Sequence, residues 1–215
     1  QGLGVWELRG NGAHANIVVR GGANLSNICS LCGQCVTHCP VGALSARDDT
    51  EKVFAAINNP EKIVVVQVAP AVRTAWCEAL GADYVFDTNF SADLTIMEEG
   101  NEFTEKITSH DTHALPMFTS CCPGWVRFVK MEYPELVPNL SSAKSPQQMF
   151  GAVAKSYFAE KIGVEPEKIF CVSVMPCMAK KYECDVEKVN DASVKDVDAV
   201  ITTREFVRML KEKYV

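Results

Sequence analysis

Four cysteines fall in the run Cys29-x2-Cys32-x2-Cys35-x3-Cys39-Pro40, and no other feature of the sequence constrains the chain as tightly. Gaps of two and three residues force a tight loop. Cys29, Cys32 and Cys35 can then reach one iron–sulfur cube while Cys39 turns away. Gly33 and Gln34 leave room for backbone amides beside the cluster sulfides, and Pro40 and Gly42 redirect the chain. A zinc site or a set of free thiols is the competing reading, but zinc sites usually space their ligands in separated pairs. When such a run serves two clusters, its fourth cysteine ligates the other one. On that reading the first three cysteines need a fourth ligand from elsewhere. Cys39 serves a cluster whose other ligands lie upstream of Gln1.

The remaining cysteines are uneven among the 215 residues: Cys121 and Cys122 are adjacent, Cys177 sits in Met175-Pro176-Cys177, and Cys77, Cys171 and Cys184 are scattered. Clustering of this kind argues for metal ligation rather than a disulfide frame, and so for the cytoplasm of an anaerobe or another reducing compartment. A net charge of −6 gives no basic face for nucleic acid. Apolar residues make up 47%, enough for a sizeable core. No apolar run reaches the ~18 residues of a membrane span, and no secretory signal opens the sequence. The sequence starts at Gln1 rather than Met and stops at Val215 inside a helical pattern, so it reads as a fragment.

Val5-Trp6-Glu7-Leu8, a turn at Asn11-Gly12 and Ile17-Val18-Val19 form the pattern of a β-hairpin. Asn24 to Asn27 reads as a loop, Arg47-Asp48-Asp49-Thr50 as a short linker, and 51–58 as a helix. Strands are expected at Ile63 to Val68, Tyr84 to Phe86, Leu115 to Thr119, Ile169 to Val174 and Ala199 to Ile201. Ser91 is expected to cap a helix reaching about Ile107. Ser145 and Pro146 open one running to about Lys161 and closed near Gly163. Thr202 and Glu205 make a capping box for the last helix. Trp6, Trp76 and Trp125 read as core. The alternation argues for an α/β layer structure. The double-cysteine and Met-Pro-Cys motifs follow expected strand ends, where open sheets place ligands.

In an extended segment Cys121 and Cys122 point opposite ways, so one can ligate a metal while its neighbour faces a different environment. Cys122 and Cys177 read either as thiolates of a second metal site or as buried structural cysteines. Lys180, three residues after Cys177, suits an anion bound at that metal. Glu99 and Glu102 share a helix face and can relay protons if buried, though acidic clusters are commonly solvated surface. Glu183 and Lys181 have no assigned role. His14, His38, His110 and His113 show no ligand spacing.

Thr119 to Trp125, Met175 to Glu183 and the cysteine run, with the stretches Phe90 to Glu99 and Leu140 to Gln148, closely resemble the [FeFe]-hydrogenases. The resemblance covers nearly the whole chain from about residue 25. It implies a partial ferredoxin-like [4Fe–4S] domain over residues 1–46. The first part of the α/β iron-hydrogenase catalytic domain then follows over residues 47–215. It implies an H-cluster, a [4Fe–4S] cube joined to a di-iron unit with CO, cyanide and a dithiolate. Cys122 and Cys177 become two of its four cysteine ligands. Cys121 becomes the proton-exchanging thiol, and Lys180 the hydrogen-bond donor to a cyanide. Ala69, Pro70 and Met175 line the pocket, and protons pass through Cys121, Glu99, Ser141 and Glu102.

Measured against that family, the upstream cysteines and the third active-site motif are missing, and the stretch from Trp76 to Asp83 is short, as after an internal deletion. The expected activity is reversible H2 oxidation by the parent protein, with this chain inactive alone. Expected partners are ferredoxin or an NAD(P)-linked electron-transfer subunit, and the maturation proteins that supply the di-iron unit. The rival readings are a non-catalytic hydrogenase-like iron–sulfur assembly protein, which bears a single cysteine at the double-cysteine position, and an H2-sensing relative.

Overall fold

The computed structural model describes residues 2–69, 79–109, 115–186 and 194–214. The amino-terminal hairpin forms as expected, β1 (Trp6–Arg9) pairing antiparallel with β2 (Asn16–Val19). Two short helices follow, α1 (Leu25–Ile28) and α2 (Gln34–Thr37), the first where a loop was expected. Helix α3 (Thr50–Ile57) leads into β3 (Ile63–Val68). β3 pairs in parallel with β4 (Tyr84–Asp87) on one side and β5 (Ile169–Val174) on the other, and β6 (Ala199–Ile201) lies beyond β5. The order is β4-β3-β5-β6. The chain leaves β3 toward one edge and later returns on its other side. That reversal opens a crevice at the strand carboxyl ends. Ala69 and Met175 stand there, Ala69 N donating to Val174 O at 3.1 Å and Met175 N to Ile201 O at 3.0 Å.

The five aliphatic residues of β3 serve both faces, as a doubly covered parallel strand requires. Val64, Val66, Val68, Val172 and Ile201 pack on one face against Val53, Phe206 and Met209. Those last three belong to α3 and to a carboxyl-terminal helix, Thr203–Tyr214. Val65, Ile169, Cys171 and Val200 pack on the other against Phe150, Ala154 and Ala159. The second layer comes from α4 (Asn89–Thr108), α5 (Pro123–Glu132) and α6 (Pro146–Val153), which passes through a π-helical turn at Ala154–Phe158 into α7 (Ala159–Ile162). Gly163 closes it with φ 69°, a left-handed value that suits glycine. Helices α8 (Ala179–Glu183) and α9 (Thr203–Tyr214) complete the chain.

Both sequence-read caps at the carboxyl-terminal helices form. Ser145 Oγ accepts from Gln148 N at 3.4 Å. Thr202 N donates to Glu205 Oε2 at 2.6 Å while Glu205 N donates to Thr202 Oγ1 at 3.3 Å, the reciprocal capping box. Other expectations fail for identifiable reasons. Leu115 to Thr119 is not a strand and retains one bridge, Phe118 to Leu140. Pro116 has no N–H to give a ladder. The double-cysteine motif therefore does not follow a sheet strand. Ser91 lies inside α4, buried, donating to Thr88 O at 2.8 Å instead of capping. Trp125 is 36% exposed, with Phe118 and Phe128 ring centroids 6.1 and 6.2 Å away. Of the short stretch from Trp76 to Asp83, residues 76–78 lie outside the described residues.

The stretch expected to be a linker is docked. Asp49 is fully buried, 2.9 Å from Arg47 Nη2 and 3.1 Å from Lys52 Nζ. Lys181 Nζ is 3.6 Å from Asp49 and 3.0 Å from Glu205. Arg47 also pairs with Asp185, and Asp48 with Arg208. Burial alone would raise the Asp49 carboxyl, but hydrogen bonds from Arg47 and Lys52 outweigh it, so its pKa lies below the usual value. Asp185 is lowered likewise, Lys195 and Arg47 outweighing burial. A lowered carboxylate stabilises the fold above the unfolded pKa and loses that contribution as pH falls through the folded one. The urea midpoint of Arg47→Met should therefore lie furthest below wild type near neutral pH. The gap should close as pH falls below about 4, where unfolded aspartates protonate.

Gly151 on α6 allows a close approach of a different kind. A Cβ there would stand 2.5 Å from the Asp196 carbonyl oxygen. Gly151→Ala should gain up to about 1 kcal/mol of helix propensity yet lose about 1–3 kcal/mol to overpacking, a net destabilisation readable in urea unfolding.

Candidate metal centre

Met175 follows β5 and is buried, at 8% exposure, in the core cluster that includes Val65 and Phe150. Cys177 follows half-buried. Helix α8 starts two residues later and carries Lys180. Ala69, after β3, is also buried, and Pro70 lies outside the described residues. The double cysteine arrives on a separate segment. Pro123 is the first residue of α5, where its missing N–H costs nothing. Cys122 precedes it in extended conformation, φ −103° and ψ 109°. Cys121 and Cys122 are both exposed.

Gly124 is where these segments meet. A Cβ built on it would stand 3.5 Å from Ser30 O, 3.7 Å from Ala179 Cβ and 3.8 Å from Cys122 Sγ. The double-cysteine motif, the Met-Pro-Cys segment and the cysteine run thus share one locus. Further contacts hold them there. Arg127 on α5 donates from Nε and Nη2 to Cys29 O at 3.0 and 2.8 Å, and its guanidinium lies 4.4 Å from the centre of the Tyr182 ring. A Cβ at Gly33 would stand 2.5 Å from Met178 Sδ. Lys180 Nζ donates to Cys121 O at 2.9 Å.

Cys29 and Cys35 line a cavity of about 430 Å³ with Leu31, Met178, Lys181 and Tyr182. Cys32 is half-buried in the same loop, and so is Cys39 beyond α2. Among the described residues no three Cys, His, Asp or Glu side chains converge on a single ion. A cube takes each thiolate on a different iron, so its ligands do not share one point. The loop also carries the polarity that iron–sulfur thiolates need. Leu31, with φ 57°, donates its N–H to Cys29 Sγ at 3.3 Å. Backbone N–H groups of Leu44 and Val41 hold the Cys39 thiol below the usual cysteine pKa, and the thiolate is the ligating form. This donor set fits an iron–sulfur cluster.

Buried cysteines behave oppositely. Burial pushes the thiols of Cys171 and Cys184 up, as for inert structural residues. Cys77 lies outside the described residues. His38 Nδ1 is 2.9 Å from Gln34 O, one turn back, His14 is exposed, and His110 and His113 lie outside the described residues.

The acidic pair expected on α4 makes two links. Glu99 Oε1 accepts from Ser120 N at 3.3 Å, beside Cys121. Ser141 Oγ donates to Glu102 Oε2 at 2.7 Å. The backbone of Ala143 connects the two links, its O accepting from Ser120 Oγ at 2.9 Å and its N donating to Ser141 Oγ at 3.1 Å. Lys106 Nζ, 2.8 Å from Glu102, was not singled out from the sequence, although its i,i+4 spacing is a legible signal. Burial raises the Glu102 carboxyl, but Lys106 and Ser141 outweigh it and the net shift is downward. Sequence reading also missed Gln147, fully buried between β5 and α8.

Residues 62–215 match the family described as "Iron only hydrogenase large subunit, C-terminal domain". The chain belongs to that family. Residues 26–45 match the "4Fe-4S binding domain". NADP-reducing hydrogenase subunit HndD of Solidesulfovibrio fructosivorans is 48% identical over 207 residues, 86% of this chain and 35% of that protein. Iron hydrogenase 1 of Clostridium pasteurianum is 46% identical, over 80% of this chain and 33% of its own length. The chain thus spans about a third of the curated hydrogenases it matches. A solved [FeFe]-hydrogenase variant from Chlamydomonas reinhardtii superposes with TM-score 0.73 at 41% identity, covering 79% of this chain and 48% of that one. Cytosolic Fe-S cluster assembly factor narfl of Xenopus tropicalis is more distant, 34% identical over 87% of this chain and 45% of its own.

The lowered Cys39 thiol has a direct readout in the metal-free, reduced protein. Its iodoacetamide alkylation should show an inflection at lower pH than an ordinary cysteine, and Cys171 should not react until the chain is unfolded, followed by peptide mass spectrometry.

Proposed function

We propose that this sequence is part of an [FeFe]-hydrogenase interconverting H2 with two protons and two electrons. Residues 1–46 carry iron–sulfur electron transfer, and residues 47–215 begin the catalytic domain. The observation that supports it best is the meeting of three cysteine-bearing segments around Gly124. The family's cofactors are [4Fe–4S] clusters and the H-cluster. Cys29, Cys32, Cys35 and Cys39 serve the former, and Cys122 and Cys177 hold the latter. When bound, the H-cluster supplies the redox chemistry.

The chain's own residues bind, orient and carry protons. Cys121, exposed beside Cys122, offers a thiol that would exchange a proton with the metal group. Glu99 stays next to it through Ser120 N, and Glu102 takes or returns a proton through Ser141 Oγ. Lys106 favours the ionised Glu102, which makes that carboxylate ready to release its proton outward. Lys180 presents an ammonium to an anionic ligand of the metal group. Ala69 and Met175, both buried, form an apolar wall. Electrons arrive from ferredoxin or an NAD(P)-linked subunit, and maturation proteins load the di-iron unit in a reducing compartment. No described helix is long and apolar enough to cross a membrane.

The matches to assembly factors keep a second reading in view, a non-catalytic iron–sulfur protein. The retained pair Cys121-Cys122 favours the catalytic one, because an assembly role has no need of a second thiol there. In the whole enzyme loaded with its cofactor, Glu102→Gln should slow H2 evolution by about 10²-fold or more with iron content unchanged. Full activity in that variant would sink the relay. H2 evolution by residues 1–215 alone would refute the expectation that further ligands are required.

A further inference from the structure

The proposed site leaves one buried carboxylate unused. Glu183 lies one turn after Lys180 on α8, and the two side chains are 9% and 12% exposed. Glu183 Oε2 accepts from Lys180 Nζ at 3.0 Å and from Gln147 Nε2 at 3.2 Å. Gln147 is itself fixed on every side. Its Nε2 also donates to Lys180 O at 3.2 Å, its Oε1 accepts from Ser173 Oγ at 2.8 Å, and its backbone O accepts from Gln67 Nε2 at 3.0 Å. Gln67, Gln147 and Ser173 are fully buried, the first and last on the adjacent central strands β3 and β5.

A polar group is not carried into a parallel sheet without a use or a partner, because each unmatched atom costs free energy. This network ends on a lysine, the most flexible of cationic side chains. Two of the three Lys180 donors are taken, one by Cys121 O and one by Glu183 Oε2. Tetrahedral geometry then fixes the direction of the third. We propose that Glu183 is a positioning residue and Gln147 its brace, together presetting Lys180 to donate to an anionic ligand of the metal group held by Cys122 and Cys177. The inference rests on the reading of Lys180 given above.

The test is infrared spectroscopy of the cyanide stretching bands in the loaded whole enzyme, alongside turnover and iron content. Lys180→Met should shift those bands. Glu183→Gln should shift them in the same direction by a smaller amount, with turnover down about tenfold, as for one charge-assisted hydrogen bond, and iron retained. Glu183→Asp should restore part of the wild-type position. Should Glu183→Gln fail to fold, Gln147→Asn keeps both charges and decides on the same bands. A shift in Lys180→Met with wild-type bands in Glu183→Gln and Gln147→Asn overturns the positioning role alone. Wild-type bands in Lys180→Met overturn the reading of Lys180, and this inference with it.

Discussion

Six residue pairs in parallel register, from Ile63 opposite Ile169 to Val68 opposite Val174, fix where the rest of the molecule lies. Because the two strands end level, Ala69 and Met175 emerge side by side. Everything chemical is hung from that edge. The Met-Pro-Cys segment starts there, α8 follows within a few residues, and the cysteine run and the double-cysteine segment pack against α8 through Met178, Ala179 and Lys180. A slip of one residue between β3 and β5 would turn Val64 and Val66 from one core to the other and carry Cys177 off this edge.

Charge then locks what packing has assembled. Lys181 is buried between Asp49 and Glu205. One ammonium therefore joins the segment leaving the iron–sulfur loop, the helix beside the metal site and the capping box of α9. A buried ion pair is weak evidence of stability, since desolvation offsets much of the attraction, but removing one partner leaves an uncompensated charge. Such a cluster tolerates few alternative arrangements. It sets the cysteine run against α8 and does so through residues that a sequence reading treats as a linker.

Strands with continuous apolar runs were legible because burial on both faces leaves little ambiguity, and β3 and β5 have the limits expected of them. The capping box at Thr202 and Glu205 was legible because it is local. What failed was set by distant partners. Ser91 looks like a cap, but Thr88 begins the helix and leaves Ser91 to face Thr95 within it. Arg47 to Thr50 looks solvated until Lys181 and Arg208, far along the chain, are brought to it. In the site, the ligand-type cysteines were legible by spacing. Gln67, Gln147 and Glu183 were not, because a buried amide pair has no sequence period.

The adjacent cysteines show how backbone conformation alone separates two identical side chains. Cys122 is extended and ends where Pro123 starts a helix, so the Cys121 and Cys122 side chains leave on opposite sides. Gly124 has Cys122 Sγ, the Ser30 carbonyl of the cysteine run and Ala179 of α8 around it, while the Cys121 carbonyl is held by Lys180. A ligand and a proton donor must sit close together yet differ in surroundings, and a two-residue step at a helix start supplies both conditions. Replacing either cysteine disturbs one role. Inserting a residue between them would rotate the pair relative to α5 and disturb both.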